Sequence, residues 1–240
     1  MPILFERPTY EWVARVNQKH KQLDDLQLSE RAMQQLNRLI EIEFVYSTLK
    51  LGGLGVERDQ VALLAASQAS SNDAEAKAAS DIFESLRFLT SLAREKGKDA
   101  VLSVDLLFQL NDMPVAQALP DGDASAETPA GNARAVLESA CQWFTADSFS
   151  ELHPVEQASI VFLRLIELLP FDKRNERTAL IAASLFTLRS GLPPIIIKPE
   201  TQPAYRAALN EGVRMNTKPM VEFLAETIER TLDLSLAASK

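Results

Sequence analysis

The chain is poor in the residues that most often carry chemistry. Its single cysteine, Cys141, excludes an internal disulfide and points to a reducing compartment, so the expected location is cytoplasmic. Only two histidines are present, His20 and His153. They lie too far apart in sequence to seed a metal-ligand cluster with one cysteine. His20 sits in a polar Gln-Lys-His-Lys-Gln run and reads as solvated. Neither a Gly-x-Ser-x-Gly elbow nor a Walker-type loop occurs. There is no basic-then-apolar N-terminal stretch of the signal-peptide kind, and apolar runs such as 180–188 are too short and interrupted to span a bilayer. Basic residues are also in deficit, with 25 Lys and Arg against 33 Asp and Glu for a net charge of -8. Without a basic cluster to track phosphates, nucleic acid and anionic membrane are poor partners.

What is present is helical patterning. The 240 residues, 46% hydrophobic, can bury one full core. Residues 26–50 place Leu28, Met33, Leu36, Leu39, Ile40 and Phe44 near a helix period, with Ser29 as N-cap and Gly52-Gly53 as the stop. Further helices are expected over 57–67, 73–95 and 103–110. From 112 to 132 the composition shifts to Pro, Gly, Asp, Ala and Ser, a turn-rich loop. Helix resumes near Ala133 and runs to Thr145. The segments 155–169 and 177–188 are apolar around most of their circumference and should form the buried centre.

The loop between those two segments reads Leu169-Pro170-Phe171-Asp172-Lys173-Arg174-Asn175-Glu176-Arg177-Thr178-Ala179-Leu180. It resembles a degenerate Fic signature, His-Pro-Phe-x-(Asp/Glu)-Gly-Asn-Gly-Arg-x-x-Arg, of a family that mostly transfers AMP from ATP to protein hydroxyls. Neighbouring landmarks strengthen the likeness: Leu152-His153-Pro154-Val155-Glu156-Gln157-Ala158 before the loop, Gly191-Leu192-Pro193-Pro194 and Tyr205-Arg206-Ala207-Ala208-Leu209 after it, and Lys218-Pro219 opening a closing helix. The resemblance implies an all-α, single Fic (Fido)-type domain over 1–240, with at most a small or degenerate β-hairpin flap. Its parts would be an inhibitory-type helical region 1–56, a helical layer 57–147 containing the loop 112–132, a core 148–231 and a tail 232–240.

Each replaced signature position has a physical job. Leu169 stands where the family has its general base, and leucine cannot move a proton. Lys173 stands where a carboxylate would hold magnesium, and its ammonium repels the ion. Arg174 and Glu176 replace two glycines whose backbone freedom lets amides cradle phosphate, and Glu176 adds a negative charge there. Leu180 replaces the second arginine, which in the family grips the terminal phosphates. Among the remaining charges, Asp172 reads as the N-cap of the second helix, and Lys173, Arg174, Glu176 and Arg177 can pair among themselves. His153, at the start of the preceding helix, reads as structural rather than as a substitute base.

A second likeness lies upstream. Ser47-Thr48-Leu49-Lys50-Leu51-Gly52 resembles the end of the family's inhibitory helix, (Ser/Thr)-x-x-x-Glu-(Gly/Asn), with Leu51 in place of the glutamate. In the family that glutamate pairs with the second motif arginine. Here both positions, Leu51 and Leu180, are leucine, which implies a hydrophobic contact closing the terminal-phosphate pocket.

Two functions are open on this reading. One is a pseudoenzyme with a regulatory or protein-interaction role, no cofactor, and an unidentified protein partner. The other is a divergent nucleotidyl or phosphoryl transferase using ATP or another phosphate donor, with Lys173, Arg174, Asn175 and Arg177 contacting the anion and Asp172 the only nearby base. The resemblance also implies a homodimer.

Overall fold

The computed structural model describes residues 10–67, 74–112 and 130–239. Among them are eleven α-helices and no strand: α1 (Glu11–Asp25), α2 (Glu30–Leu51), α3 (Arg58–Ser67), α4 (Ala74–Lys96), α5 (Val104–Asp112), α6 (Ala130–Trp143), α7 (Asp147–Ser150), α8 (Pro154–Leu168), α9 (Asn175–Leu188), α10 (Gln202–Gly212) and α11 (Lys218–Ala238). Short 3-10 turns occupy Gly97–Asp99 and Pro199–Thr201. Of the loop expected over 112–132, Asp112 ends α5 and residues 130–132 belong to α6, while 113–129 lie outside the described residues.

The helical hairpin of α8 and α9 has the most extensive interface, and every other layer is hung on it. Eleven consecutive residues of α9, from Arg177 to Thr187, are buried. Its small side chains Ala179, Ala182, Ala183 and Ser184 let neighbouring helices approach closely. The helices α4, α5 and α8 pack on α9; α11 packs on α8, with α1 and α10 outside it; α2 and α3 cover α4.

Polar side chains fix the connections. The Ser184 hydroxyl accepts from the Ile195 amide at 3.1 Å, pinning the extended segment after α9. The Gln157 amide donates to the Phe149 and Leu152 carbonyls at 3.0 and 3.1 Å, holding α7 against α8. At the far end of α9, Gly191 adopts φ 77°, and a Cβ there would sit 3.1 Å from His20 Nε2.

Several boundaries differ from the sequence expectation. The Ser29 N-cap holds, its Oγ accepting from the Ala32 amide at 3.3 Å. The helix α1 falls in the region 1–56 expected to be helical, though its bounds were not anticipated; it packs on α11 through buried Trp12 and Val16 and through Lys19, which meets Glu229 at 3.1 Å and Asp233 at 2.6 Å. His20 is accordingly half-buried against Gly191 rather than solvated. Helix α6 begins at Ala130, earlier than composition suggested. Helix α11 runs on to Ala238 through what reads as a tail, because Leu232 and Ser235 extend its buried face.

Candidate functional site

The site is the loop joining α8 to α9. Helix α8 stops because Leu169 turns left-handed (φ 41°, ψ 56°) and Pro170 cannot continue a helix. Leu169 is half-buried, and its amide still bonds the Leu165 carbonyl at 3.2 Å. Asn175, the first residue of α9, closes the loop on itself: its Oδ1 accepts from the Phe171 amide at 3.0 Å and its Nδ2 donates to the Phe171 carbonyl at 2.6 Å. The Phe171 ring meets Phe108 of α5 edge-on at 5.4 Å.

Arg174 precedes α9 in the left-handed region (φ 65°, ψ 22°). An arginine here makes a backbone turn that a glycine would favour. Asp172 is exposed and does not cap α9; Arg174 occupies the cap position and contributes no side-chain cap bond. Lys173 is exposed as well.

Arg174 and Arg177 converge on the C-terminal end of α5. Arg174 Nη1 donates to the Asn111 carbonyl at 3.3 Å and Arg177 Nη2 to the same oxygen at 3.4 Å. Two cations thus meet the negative end of a helix dipole. The Asn111 side chain completes the tie, its Nδ2 donating to the Lys173 carbonyl at 2.9 Å and to Thr178 Oγ1 at 3.0 Å. Arg177 is only 7% exposed. Burial, reinforced by the Arg174 charge, pushes its pKa down to about 10, while Asp81 of α4 opposes the shift. Asp81 is itself buried, and desolvation raises its pKa against the opposing pull of Arg177. Arg177 Nε, Asp81 Oδ2 and Ser47 Oγ have no hydrogen-bond partner among the described residues.

Glu176 does not pair within the loop. Its carboxylate is turned to α10, accepting from the Tyr205 hydroxyl at 2.5 Å and meeting Arg206 Nη1 at 3.1 Å. Tyr205 is fully buried, and burial beside Glu176 holds its phenol well above the usual pKa.

Leu180 is 1% exposed, deep in the core, whereas Leu51 is half-buried against the same core at the last turn of α2. Ser47 is buried, and Gly52 follows as the C-cap with φ -79°. His153 caps α8: Nδ1 accepts from the Val155 amide at 3.2 Å, Glu156 returns a bond to its backbone, and Nε2 lies 3.2 Å from Asn17 Oδ1. Among the described residues no three His, Cys, Asp or Glu side chains converge to hold a metal ion, and no helix is long and apolar enough to cross a membrane.

Sequence reading missed Asn111, Phe108 and Asp81. Asp81 left one signal: buried Ala78 and Ser85 flank it at helical spacing, so a lone acid lies on an apolar face.

No family model matches the chain. A Fic domain containing signaling protein from Bacteroides thetaiotaomicron superposes with TM-score 0.81 at 21% identity, covering 94% of this chain and 97% of that one. The chain folds as a Fic domain. Fic-1 from C. elegans superposes with TM-score 0.80 at 22% identity, covering 95% of this chain and 71% of its own. In sequence, the Fic-type chain is 29% identical over 132 residues to the protein adenylyltransferases Fic of Drosophila erecta and Drosophila melanogaster. That match covers 55% of this chain and 25% of each relative, so it spans about a quarter of their length.

Proposed function

We propose that this chain is a Fic-fold pseudoenzyme, a domain that binds a protein partner and transfers no AMP. The observation that carries the reading is Leu169, a half-buried leucine at the position of the family's proton acceptor. A positioned base contributes about 100- to 10,000-fold in rate, and the other acceptors near the loop are engaged or turned to solvent: His153 caps α8, Glu176 is held by Tyr205 and Arg206, and Asp172, the one loop carboxylate left free among the described residues, is exposed.

Magnesium-ATP does not fit the residues present. Lys173 offers an ammonium where the metal would need an acid, the buried Arg177 guanidinium is directed at the Asn111 carbonyl, and Leu180 lies in the core. A fold alone does not establish a reaction, so the activity named for the Drosophila relatives is not carried over.

Isothermal titration calorimetry of ATP, with and without magnesium, tests the reading. The native chain should give no binding heat. A repaired variant carrying Leu169→His, Lys173→Asp, Arg174→Gly and Glu176→Gly should bind in a magnesium-dependent way. Leu180→Arg is left out because it would put an unpaired charge in the core. ATP binding by the native chain would overturn the pseudoenzyme reading in favour of a divergent transferase, with Lys173, Arg174, Asn175 and Arg177 as the anion contacts.

A further inference from the structure

A cavity of about 700 Å³ opens where α1, α2, α4, α9 and α11 meet. The motif loop is at the start of α9 and this cavity at its end, about 20 Å away along the helix. The size lies within the ~300–1,000 Å³ of small-molecule sites.

The floor consists of Leu36, Leu86, Leu192 and Leu232, none more than 5% exposed. Ile40 lines the wall of α2. At the mouth, Met33 is 42% exposed, and Gln27 of the α1–α2 connection holds a left-handed backbone with φ 44°. The apolar lining is entirely aliphatic, with no aromatic residue. A flat ring would find nothing to stack on, and a quaternary ammonium no π-face to bind.

The charges at the cavity select further. Glu41 is neutralised by Arg87, which donates from Nη2 at 2.9 Å and Nε at 3.1 Å. Arg189 is committed to the Ala100 carbonyl and Gln157 Oε1, at 2.8 and 2.9 Å, with Phe186 stacked beneath it. Asp24 faces His20 at 3.7 Å. Arg94, in the last turn of α4, lines the cavity with neither an ion pair nor a hydrogen bond among the described residues.

We propose that this cavity binds a medium-chain alkyl carboxylate, its tail against Leu36, Leu86, Leu192 and Leu232 and its headgroup at Arg94. An aliphatic chain matches the lining, and a carboxylate supplies the partner that Arg94 lacks. The site is separate from the motif loop and requires no nucleotide.

The test is calorimetric titration of sodium decanoate into the full chain, beside decyltrimethylammonium, which carries the same tail and the opposite charge. The expected result is saturable one-to-one decanoate binding, about tenfold weaker in Arg94→Ala, a loss equivalent to about 1.4 kcal/mol, and also weakened in Ile40→Trp, whose bulkier indole projects into the cavity from a half-buried position. Arg94 is exposed, so its truncation leaves the core untouched. No saturable decanoate binding, binding unchanged in both variants, or equal binding of the ammonium would each overturn the proposal.

Discussion

The Arg177 guanidinium lies buried, with Nη2 donating to the Asn111 carbonyl at 3.4 Å and Nε unpartnered among the described residues. Arg177 is thus part of the domain's internal structure, tying α9 to the end of α5. Asp81, equally buried, supplies opposite charge from α4 without coming within ion-pair distance. Removing one member of such a pair leaves a buried charge uncompensated, whereas removing both relieves two desolvation penalties. Arg177→Met and Asp81→Leu should each lower stability by about 1–3 kcal/mol, and the double variant should lose at least about 1 kcal/mol less than their sum. Urea denaturation of the four proteins reads this directly; strict additivity would mean that the two charges do not sense each other.

Arg174 holds φ 65° without being glycine. The left-handed conformation costs a side-chain-bearing residue about 1–2 kcal/mol, so the loop makes with arginine a turn that glycine would make more cheaply. Arg174→Gly and Arg174→Ala both delete the guanidinium and its bond to Asn111. They differ only in the Cβ and the backbone freedom. The glycine variant should be the more stable by about 1 kcal/mol, less the entropy that glycine gains when unfolded. Equal melting curves, or a more stable alanine variant, would show that the turn carries no strain.

The fold and the outline of the site were legible for different reasons. Leu28 to Phe44 follow a helix period and Ser29 caps it, so local pattern sufficed for α2. The α8–α9 hairpin was readable because its segments are apolar on nearly every face. The bounds of α1 were not, since its mean composition is polar and only Trp12 and Val16 are buried. Its anchoring depends on ion pairs from Lys19 to residues more than 200 positions away, which no local window contains. The same limit hid Asn111, whose role depends on the end of α5 meeting the motif loop. It also misled the reading of Glu176, whose partners Tyr205 and Arg206 come from α10 rather than from the adjacent charges.

His153 makes folding sensitive to acid. Its ring touches Trp12 edge-on at 4.9 Å and accepts the Val155 amide through Nδ1, an arrangement that requires the neutral form. Burial lowers its pKa from 6.5 to about 4. Between those values the unfolded chain binds the proton and the folded chain does not, so unfolding gains as pH falls. The stabilisation is complete above about pH 6.5, declines on acidification and is exhausted below about pH 4. Because the ring is partly solvated, the loss attributable to it should be on the order of 1–2 kcal/mol rather than the full value of the shift. His153→Ser retains a good N-cap that does not titrate. Its stability profile between pH 6.5 and 4, subtracted from that of the native chain, should isolate the histidine contribution; parallel profiles would remove His153 as its source.

Gly212 at the end of α10 is set by packing rather than by backbone freedom. A Cβ added there would lie 2.4 Å from Leu163 Cδ2, too close for any real contact, and Leu163 is 6% exposed in α8 with little room to retreat. Alanine normally favours a helix over glycine by about 1 kcal/mol, but overpacking a filled core costs about 1–3 kcal/mol, so the clash should win. Gly212→Ala should therefore be destabilising, in spite of its better propensity. Leu163→Ala alone should cost about 2–5 kcal/mol through the cavity it leaves. Together the two changes should cost less than their sum, because the new methyl group enters the space vacated by Leu163. A Gly212→Ala variant that melts above the native protein would show that α10 can shift away from α8 at little cost, and that this contact does not fix their spacing.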